Sequence, residues 1–316
     1  MPPKILCIVG PTACGKTTLG VALAKRYNGE VVSADSMQIY RGMTIGTAAP
    51  TEREMEGVPH HMVAVADPCE KWSAAKYAAE AAPIVDDILS RGKLPVLVGG
   101  TGLWLDALVK GHGFAAGHAG GEVRSLLQRR LAEEGMEPLW AELERVDPEA
   151  AKRLHPADEK RVLRALEVYL ETGKTITQHN EETKALPPRY DAVWIGLQFA
   201  QREDMRRLID LRVDKMVEEG LLSEVERLLS SGIPADATAM QAIGYKEFLG
   251  VAEGRVSVEE AVAEVKLRSR QYAKRQLTWL RKNPEIHWIW WEKQRDFARA
   301  LQISTEILSA HGLSLG

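Results

Sequence analysis

Short apolar runs alternate with segments of helical periodicity along the N-terminal part of the chain, and this alternation predicts an α/β core built on a parallel sheet. Ile5 to Val9, Glu30 to Ala34 and Leu94 to Val98 read as strands, with helices over Thr18 to Tyr27 and, from a start at Ser73, over Tyr77 to Arg91. Open sheets of this kind bind ligands at the carboxyl ends of their strands, so the loops after Val9, Ala34 and Val98 are expected along one edge. The loop from Asp35 to Ala48 is polar and punctuated by glycine, and it is too rich in hydrogen-bonding side chains to be a plain connector. A glycine-rich break from Gly111 to Gly121 then precedes Glu122 to Gly173, a stretch that is helical in pattern and holds no strand. Pro187-Pro188 and the apolar run Ala192 to Leu197 mark a return to the sheet. Asp204 to Leu229 reads as an amphipathic helix broken near Gly220, Glu259 to Lys282 as another, and Asp296 to Ala310 as a surface helix. The expected division is a core over 1–112, an inserted helical domain over 113–189, and a return to the core with C-terminal helices over 190–316.

Composition changes this picture little. The 316 residues are 45% hydrophobic and 27% charged, an ordinary globular balance. No run approaches a membrane span and the N-terminus enters a strand at once, so a cytoplasmic location without membrane contact is expected. Cys7, Cys14 and Cys69 lack zinc or redox spacing, which suits a reducing compartment. A net charge of −3 predicts no polyanion partner by itself, so local basic stretches matter more.

The first chemical signal is Gly10-Pro11-Thr12-Ala13-Cys14-Gly15-Lys16-Thr17, lying between a strand and a helix. A diphosphate is held by free backbone N–H groups and the positive end of a helix dipole, and this P-loop spacing supplies both. Gly10 and Gly15 give the permissive backbone, Lys16 a point charge and Thr17 a hydroxyl for Mg2+. The fold class is therefore a P-loop NTPase-like parallel sheet with a helical insertion. Most P-loop ATPases place an acid at the end of a further buried strand. Here Val98 leads into glycines and Ile195 into Gly196, which argues against an ATP-hydrolysing motor.

Asp35 is the second signal. A carboxylate at the end of a strand beside the P-loop strand would bind Mg2+, directly or through water, or take a proton from a nucleophile; Asp35 is equally a good turn former. Gly99-Gly100-Thr101-Gly102 offers amides and the Thr101 hydroxyl to the same phosphates from the other side, or serves as a tight βα turn. Arg212 would fork onto a leaving diphosphate, or pair with the acids around it, Asp210 and Asp214 among them. His60-His61 lack further ligands at metal spacing and read as packing residues.

Two basic stretches point to RNA. Lys160 and Arg164 stand one turn apart on a helix whose Leu163, Leu166 and Leu170 face a core. From Lys266 to Lys282 there are seven basic residues and no acid. Lys266, Arg270 and Lys274 make a stripe there, while Arg268, Tyr272, Arg275 and Trp279 share a face suited to stacking on bases. A solvated basic helix is the plainer alternative, but two such stretches on a net-negative chain favour RNA.

Together these pieces closely resemble the bacterial tRNA dimethylallyltransferases, or tRNA isopentenyltransferases. The resemblance rests on the loop Gly10 to Thr17, Asp35-Ser36-x-Gln38-x-Tyr40, Gly46-Thr47-Ala48, Pro59-His60-His61 and Gly99 to Leu103. It continues with Arg161-x-x-Arg164-Ala165-Leu166-Glu167, Ala242-Ile243-Gly244-Tyr245-Lys246-Glu247 and Lys274-Arg275-Gln276-x-Thr278-Trp279. Cys14 and Trp104 depart from the family's usual residues without removing a reactive group. The resemblance implies transfer of a dimethylallyl group from dimethylallyl diphosphate to the exocyclic amine of adenosine 37 in the tRNA anticodon stem-loop, with Mg2+; the sequence itself suggests a monomer. It implies Asp35 as the base, with Lys16, Thr101 and Arg212 stabilising the leaving diphosphate. It also implies RNA contacts from Asp35, Ser36, Met37, Gln38 and Thr101, from Lys160, Arg161, Val162, Leu163 and Arg164, and from Gln241, Ala242, Ile243, Gly244, Tyr245 and Lys246. Lys274, Arg275, Gln276, Trp279 and Arg281 complete that set. Three other readings compete. They are a P-loop kinase of a small metabolite, a prenyltransferase acting on free adenine nucleotides, and an RNA-binding protein with a relic P-loop.

Overall fold

The computed structural model describes residues 2–111 and 121–313 and divides the chain into two compact units, Met1–Gly111 with Arg189–Gly316, and His112–Pro188. The break expected from Gly111 to Gly121 lies largely outside the described residues.

In the first unit β1 (Lys4–Val9) leads through the P-loop into α1 (Lys16–Arg26), and β2 (Gly29–Ala34) follows. The chain continues through α2 (Glu52–Met55), β3 (His60–His61), α3 (Ala74–Ser90), β4 (Leu94–Gly99) and α4 (Gly102–Lys110). Ser73 caps α3 by accepting the Lys76 N–H, as its position predicts. After the second unit come β5 (Asp191–Phe199), α10 (Arg202–Glu218), α11 (Leu221–Ser230), α12 (Tyr245–Ala252), α13 (Val258–Leu280), β6 (Ile286–Trp291) and α14 (Phe297–Ala310). Gly220, in the left-handed region, separates α10 from α11.

The sheet is parallel throughout, in the order β3-β2-β4-β1-β5-β6. Order therefore reverses around β1, the switch point where α/β sheets bind ligands. Two strands differ from the sequence reading. His60 and His61 form a short edge strand against Val31 and Val32, and Ile286–Trp291 adds a strand at the opposite edge. A third difference bears on chemistry: β4 lies between β2 and β1, so Asp35 is not on the strand beside the P-loop strand. At the usual strand spacing the two loops are roughly 10 Å apart. The turn Gly99–Gly102 spans that gap.

The sheet's core is made by Leu6, Ile8, Val96, Ile195 and Leu197, packed with Leu19 and Leu23 of α1 and Ala300 and Leu308 of α14. At the start of β2, Glu30 is 3% exposed and holds Arg91 (2.5 Å), Lys93 (2.7 Å) and His61 (2.8 Å). The Arg91 guanidinium, then Lys93 and His61, hold the Glu30 carboxyl far below its ordinary range against the opposing effect of burial. Because the native value is depressed, the stabilisation is complete above the unfolded pKa of about 4.3 and is lost as pH falls through the native one. Glu30→Gln should cost about 2 kcal/mol at pH 7, less than a fully enclosed pair because Arg91 and Lys93 remain partly in water. Thermal melts of both proteins check this: the gap should narrow as pH is lowered below about 4.

The second unit is helical, as its sequence pattern predicts: α5 (Glu122–Glu134), α6 (Met136–Val146), α7 (Pro148–Arg153), α8 (Glu159–Thr172) and α9 (Ile176–Lys184). Leu127, Leu139, Leu143, Val162, Leu163 and Leu166 form its core. Leu170, expected on that face, is 42% exposed.

Candidate active site

A cleft of about 420 Å³ opens at the carboxyl edge of the sheet in the first unit. The P-loop forms one end. Gly10 has φ +152°, and a Cβ there would stand 2.5 Å from the Leu197 carbonyl oxygen, so the turn admits no side chain. Helix α1 starts at Lys16, two residues earlier than expected, which puts the Lys16 and Thr17 amides in its first turn where N–H groups lack helical partners. Thr12, Ala13, Gly15, Lys16 and Thr17 line the cleft, while Pro11 and Cys14 are buried behind it. Cys14 is walled in: the Trp291 indole donates to its carbonyl at 2.9 Å, and burial pushes its thiol pKa up. Lys16 Nζ donates to the Pro11 carbonyl at 2.8 Å, across the loop.

The Gly99–Gly102 turn is tied to this loop by α13. Gln276, 5% exposed, accepts the Thr12 N–H at 2.9 Å and donates to the Gly100 carbonyl at 3.1 Å. Gln276, expected among the RNA contacts, lines the cleft while its amide ties the loop at Thr12 to the turn at Gly100. Thr101 Oγ1 accepts the Ser36 N–H at 3.2 Å. Tyr272 also bonds Thr101, and burial, reinforced by Asp35, raises its pKa to about 12, so its hydroxyl stays protonated at neutral pH. Tyr272 lines the cleft and is not on an outer stacking face.

Asp35 stands at the other end. Its Oδ1 accepts the N–H groups of Met37 (2.9 Å) and Gln38 (3.3 Å). The turn role thus falls on Oδ1 alone, and Oδ2 accepts no hydrogen bond among the described residues. Asp35, Ser36, Met37 and Gln38 all line the cleft.

Arg212 reaches the cleft from α10, and the acids near it in sequence are engaged elsewhere. Asp210 pairs with Arg270 at 2.8 Å and Asp214 with Lys266 at 2.5 Å, both on α13. Two expectations change together. Arg212 forms no ion pair among the described residues, and Lys266 and Arg270 are no free stripe for a polyanion. The Arg212 Nε is buried without a partner, and Nη2 only approaches the Thr47 carbonyl at 3.5 Å. Desolvation lowers its pKa, and the Asp35 charge opposes that shift. A half-buried guanidinium on the cleft wall with an unused donor is suited to an anionic ligand.

Lys16, Arg212, Arg275 and Arg295 line the cleft against two carboxylates, Asp35 and Glu54, so it suits a multiply charged anion. Arg295 escaped sequence reasoning, being a lone arginine between the last strand and helix with no motif around it. Ile209, Val213 and Met216 of α10 and Val265 of α13 give the cleft an apolar wall.

The other RNA candidates divide by exposure. In the second unit Lys160 is exposed, Arg161 is exposed and pairs with Asp158 at 3.3 Å, and Arg164 bonds Glu167 at 2.8 Å. Val162 and Leu163 are 0% and 2% exposed in that unit's core, so their side chains are not RNA contacts. In the first unit Gln241, Lys246 and Lys274 are exposed, and Ala242, Ile243 and Arg275 line the cleft. Gly244 donates its N–H to Glu247 at 2.7 Å. Tyr245 is fully buried, so it too is not an RNA contact. Trp279 is 40% exposed with its indole N–H on Asp106 at 3.2 Å, and Arg281 donates to Gln198 at 3.2 Å. Among the described residues no helix is long and apolar enough to cross a membrane.

Comparison with known proteins bears on this geometry. A family model described as IPP transferase matches residues 38–283, and one described as isopentenyl transferase matches residues 3–64. A tRNA dimethylallyltransferase of Geobacillus thermodenitrificans is 46% identical over 291 residues, covering 92% of this chain and 91% of that protein. One from Acetivibrio thermocellus is 45% identical over 286 residues, covering 90% of this chain and 91% of that protein. The crystal structure of the full-length tRNA isopentenylpyrophosphate transferase of Bacillus halodurans aligns with a TM-score of 0.72 at 41% identity, over 98% of both chains. A eukaryotic dimethylallyltransferase, solved as crystallographic snapshots acting on tRNA, aligns with a TM-score of 0.81 at 29% identity, over 98% of this chain and 80% of that one.

Proposed function

The chain belongs to the IPP transferase family, and on that premise we propose how its cleft transfers a dimethylallyl group from dimethylallyl diphosphate to tRNA, with the N6 amine of adenosine 37 as acceptor. One observation carries the assignment of ends. A diphosphate loop and a carboxylate share one cleft but stand two strands apart, with an apolar wall beside them. Diphosphate on the P-loop amides and Lys16 leaves the five-carbon group against Ile209, Val213 and Met216, with its reactive carbon toward Asp35. The bond between that carbon and the bridging oxygen breaks, the carbon bonds N6, the N6 proton passes to Asp35 Oδ2, and diphosphate leaves. Lys16, Arg212 and the loop amides meet the charge that builds on the leaving oxygens. Adenine's amine is a weak nucleophile because its lone pair is delocalised, so a base acting during attack lowers the barrier.

Mg2+ fits this donor set in one way. The described residues contain no cluster of three or more His, Cys, Asp or Glu that would cage a metal, while the Thr17 hydroxyl lines the cleft beside the phosphate loop. A hard cation that keeps its waters and binds substrate phosphates needs no more than that. Thr17 would hold it, with Asp35 reaching it at most through water because Oδ2 is taken by the base role. When bound it would neutralise diphosphate charge.

The adenine reaches such a cleft only flipped from the anticodon stack. Lys160, Arg161, Arg164, Lys246, Lys274 and Trp279 are the side chains we assign to the stem-loop around it. A cytoplasmic setting and a monomeric working form belong to the same proposal.

The test is a mixture of protein, Mg2+, radiolabelled dimethylallyl diphosphate and an unmodified anticodon stem-loop with adenosines at positions 36 to 38, without ATP. Label should enter the RNA and be lost when adenosine 37 is replaced. Label in AMP or ADP with none in RNA would overturn the acceptor. Label in neither, from folded protein, would overturn the donor and favour a kinase.

A further inference from the structure

Two sequence motifs that look unrelated, Gly46-Thr47-Ala48 and Ala242-Ile243-Gly244-Tyr245, meet on a carboxylate that belongs to neither. Glu224 of α11 is 2% exposed. Its Oε2 accepts the Thr44 N–H at 3.1 Å and the Thr44 hydroxyl at 2.9 Å, and both oxygens receive the Ile45 N–H at 3.0 Å. Its Oε1 also accepts the Gly46 N–H at 3.1 Å and the Tyr245 hydroxyl at 2.5 Å. Three consecutive amides turned onto one carboxylate form an anion-binding concavity, filled here by the protein itself. Only an acceptor-only group satisfies so many donors at once, and a carboxylate is that group.

The packing around this anchor is equally restrictive. A Cβ on Gly46 would collide with the Tyr245 ring, and would lie 2.9 Å from Leu221 Cδ1. Tyr245 is fully buried, and burial with the neighbouring Glu224 charge raises its pKa, so the hydroxyl remains a donor.

The loop so held carries two carbonyls that reach the cleft residues. Gln38 Nε2 donates to the Ala48 carbonyl at 3.1 Å and the Thr47 carbonyl at 3.4 Å, and the Ser33 hydroxyl donates to Gln38 Oε1 at 3.2 Å. The Thr47 carbonyl is also the one that Arg212 approaches. We propose that Glu224, with Tyr245, is a positioning residue for the transfer reaction: it fixes the Thr44–Ala48 loop, whose carbonyls orient the Gln38 amide beside Asp35. This inference rests on the reading of the cleft as a transfer site. It also gives Tyr245 a task in place of RNA contact: bracing the cleft wall from behind.

The test is Glu224→Gln in the full chain, assayed by single turnover with saturating stem-loop and prebound dimethylallyl diphosphate. Glutamine has one acceptor oxygen, and its NH2 would face the N–H donors. The rate should fall about 30-fold, within the range that misplaced groups cost, while the affinity for dimethylallyl diphosphate changes less than threefold. Because Glu224 acts through Gln38, the same substitution in a Gln38→Ala background should cost less than threefold. A purely structural role would lower the melting temperature and leave the folded protein's rate intact, or would give equal losses in both backgrounds; either result overturns the proposal. If Glu224→Gln does not fold, Tyr245→Phe decides, since it keeps the ring against Gly46 and removes one donor. It should slow transfer about fivefold, again only when Gln38 is present. Amide hydrogen exchange of residues 44–46 in the free protein separates this from the functional reading. Faster exchange in Glu224→Gln, from protein whose wild type transfers nothing, would leave the loop anchor standing and overturn the transfer role.

Discussion

Asp35→Asn is expected to lower single-turnover transfer by about 10²- to 10⁴-fold, the usual contribution of a positioned general base, while leaving donor affinity unchanged. The asymmetry of the carboxylate makes this substitution informative. Oδ1 accepts from Met37 and Gln38 and shapes the loop, and asparagine keeps an oxygen in that place. What it loses is Oδ2, the oxygen to which we assign the proton of N6. The loop, the Thr101–Ser36 contact and the P-loop should therefore survive, and only the proton transfer should fail. A structural role would give the reverse, with a lower melting temperature and near-normal transfer by the folded fraction. Near-normal single-turnover transfer would remove Asp35 from the role of base. Loss of donor affinity would place Asp35 on the metal and phosphates instead, where a position two strands from the P-loop does not favour it.

The same two-strand gap shows what could be read from sequence and what could not. Local motifs were legible because their chemistry is local: eight consecutive residues specify a P-loop, and the strand before and helix after supply its context. Strand order is a tertiary property. Nothing in Glu30–Ala34 says that Leu94–Gly99 will insert beside β1, so sequence order alone puts Asp35 one strand too near. Partner choice failed for the same reason. Asp210 and Asp214 surround Arg212 in sequence, yet in space they neutralise Arg270 and Lys266. One helix pairing thus strips Arg212 of its counterions and removes two of the three residues of an apparent RNA stripe. The edge strand Ile286–Trp291 was within reach, since its β-formers follow the turn at Asn283-Pro284. Glu224, one acid among many on an amphipathic helix, carried no signal until the loop it anchors was in place.

Lys16→Ala is expected to separate the two halves of the cleft. The ammonium is a point charge on the phosphate loop, and removing a charge that stabilises a leaving group costs about 10²- to 10³-fold in rate, with weaker binding of dimethylallyl diphosphate. Lys16→Met keeps most of the stem and should lose nearly as much, which would assign the loss to charge and not to packing. Affinity for the anticodon stem-loop, measured without donor, should stay within twofold of the wild type. The exposed cations assigned to RNA, Lys160, Lys246 and Lys274 among them, lie outside the P-loop and keep their charges. That affinity should fall steeply with added salt in wild type and variant alike, because it comes from phosphate neutralisation. A large loss of RNA affinity in Lys16→Ala would mean that the P-loop itself grips RNA. The division into a diphosphate end at Lys16 and an acceptor end at Asp35 would then be wrong.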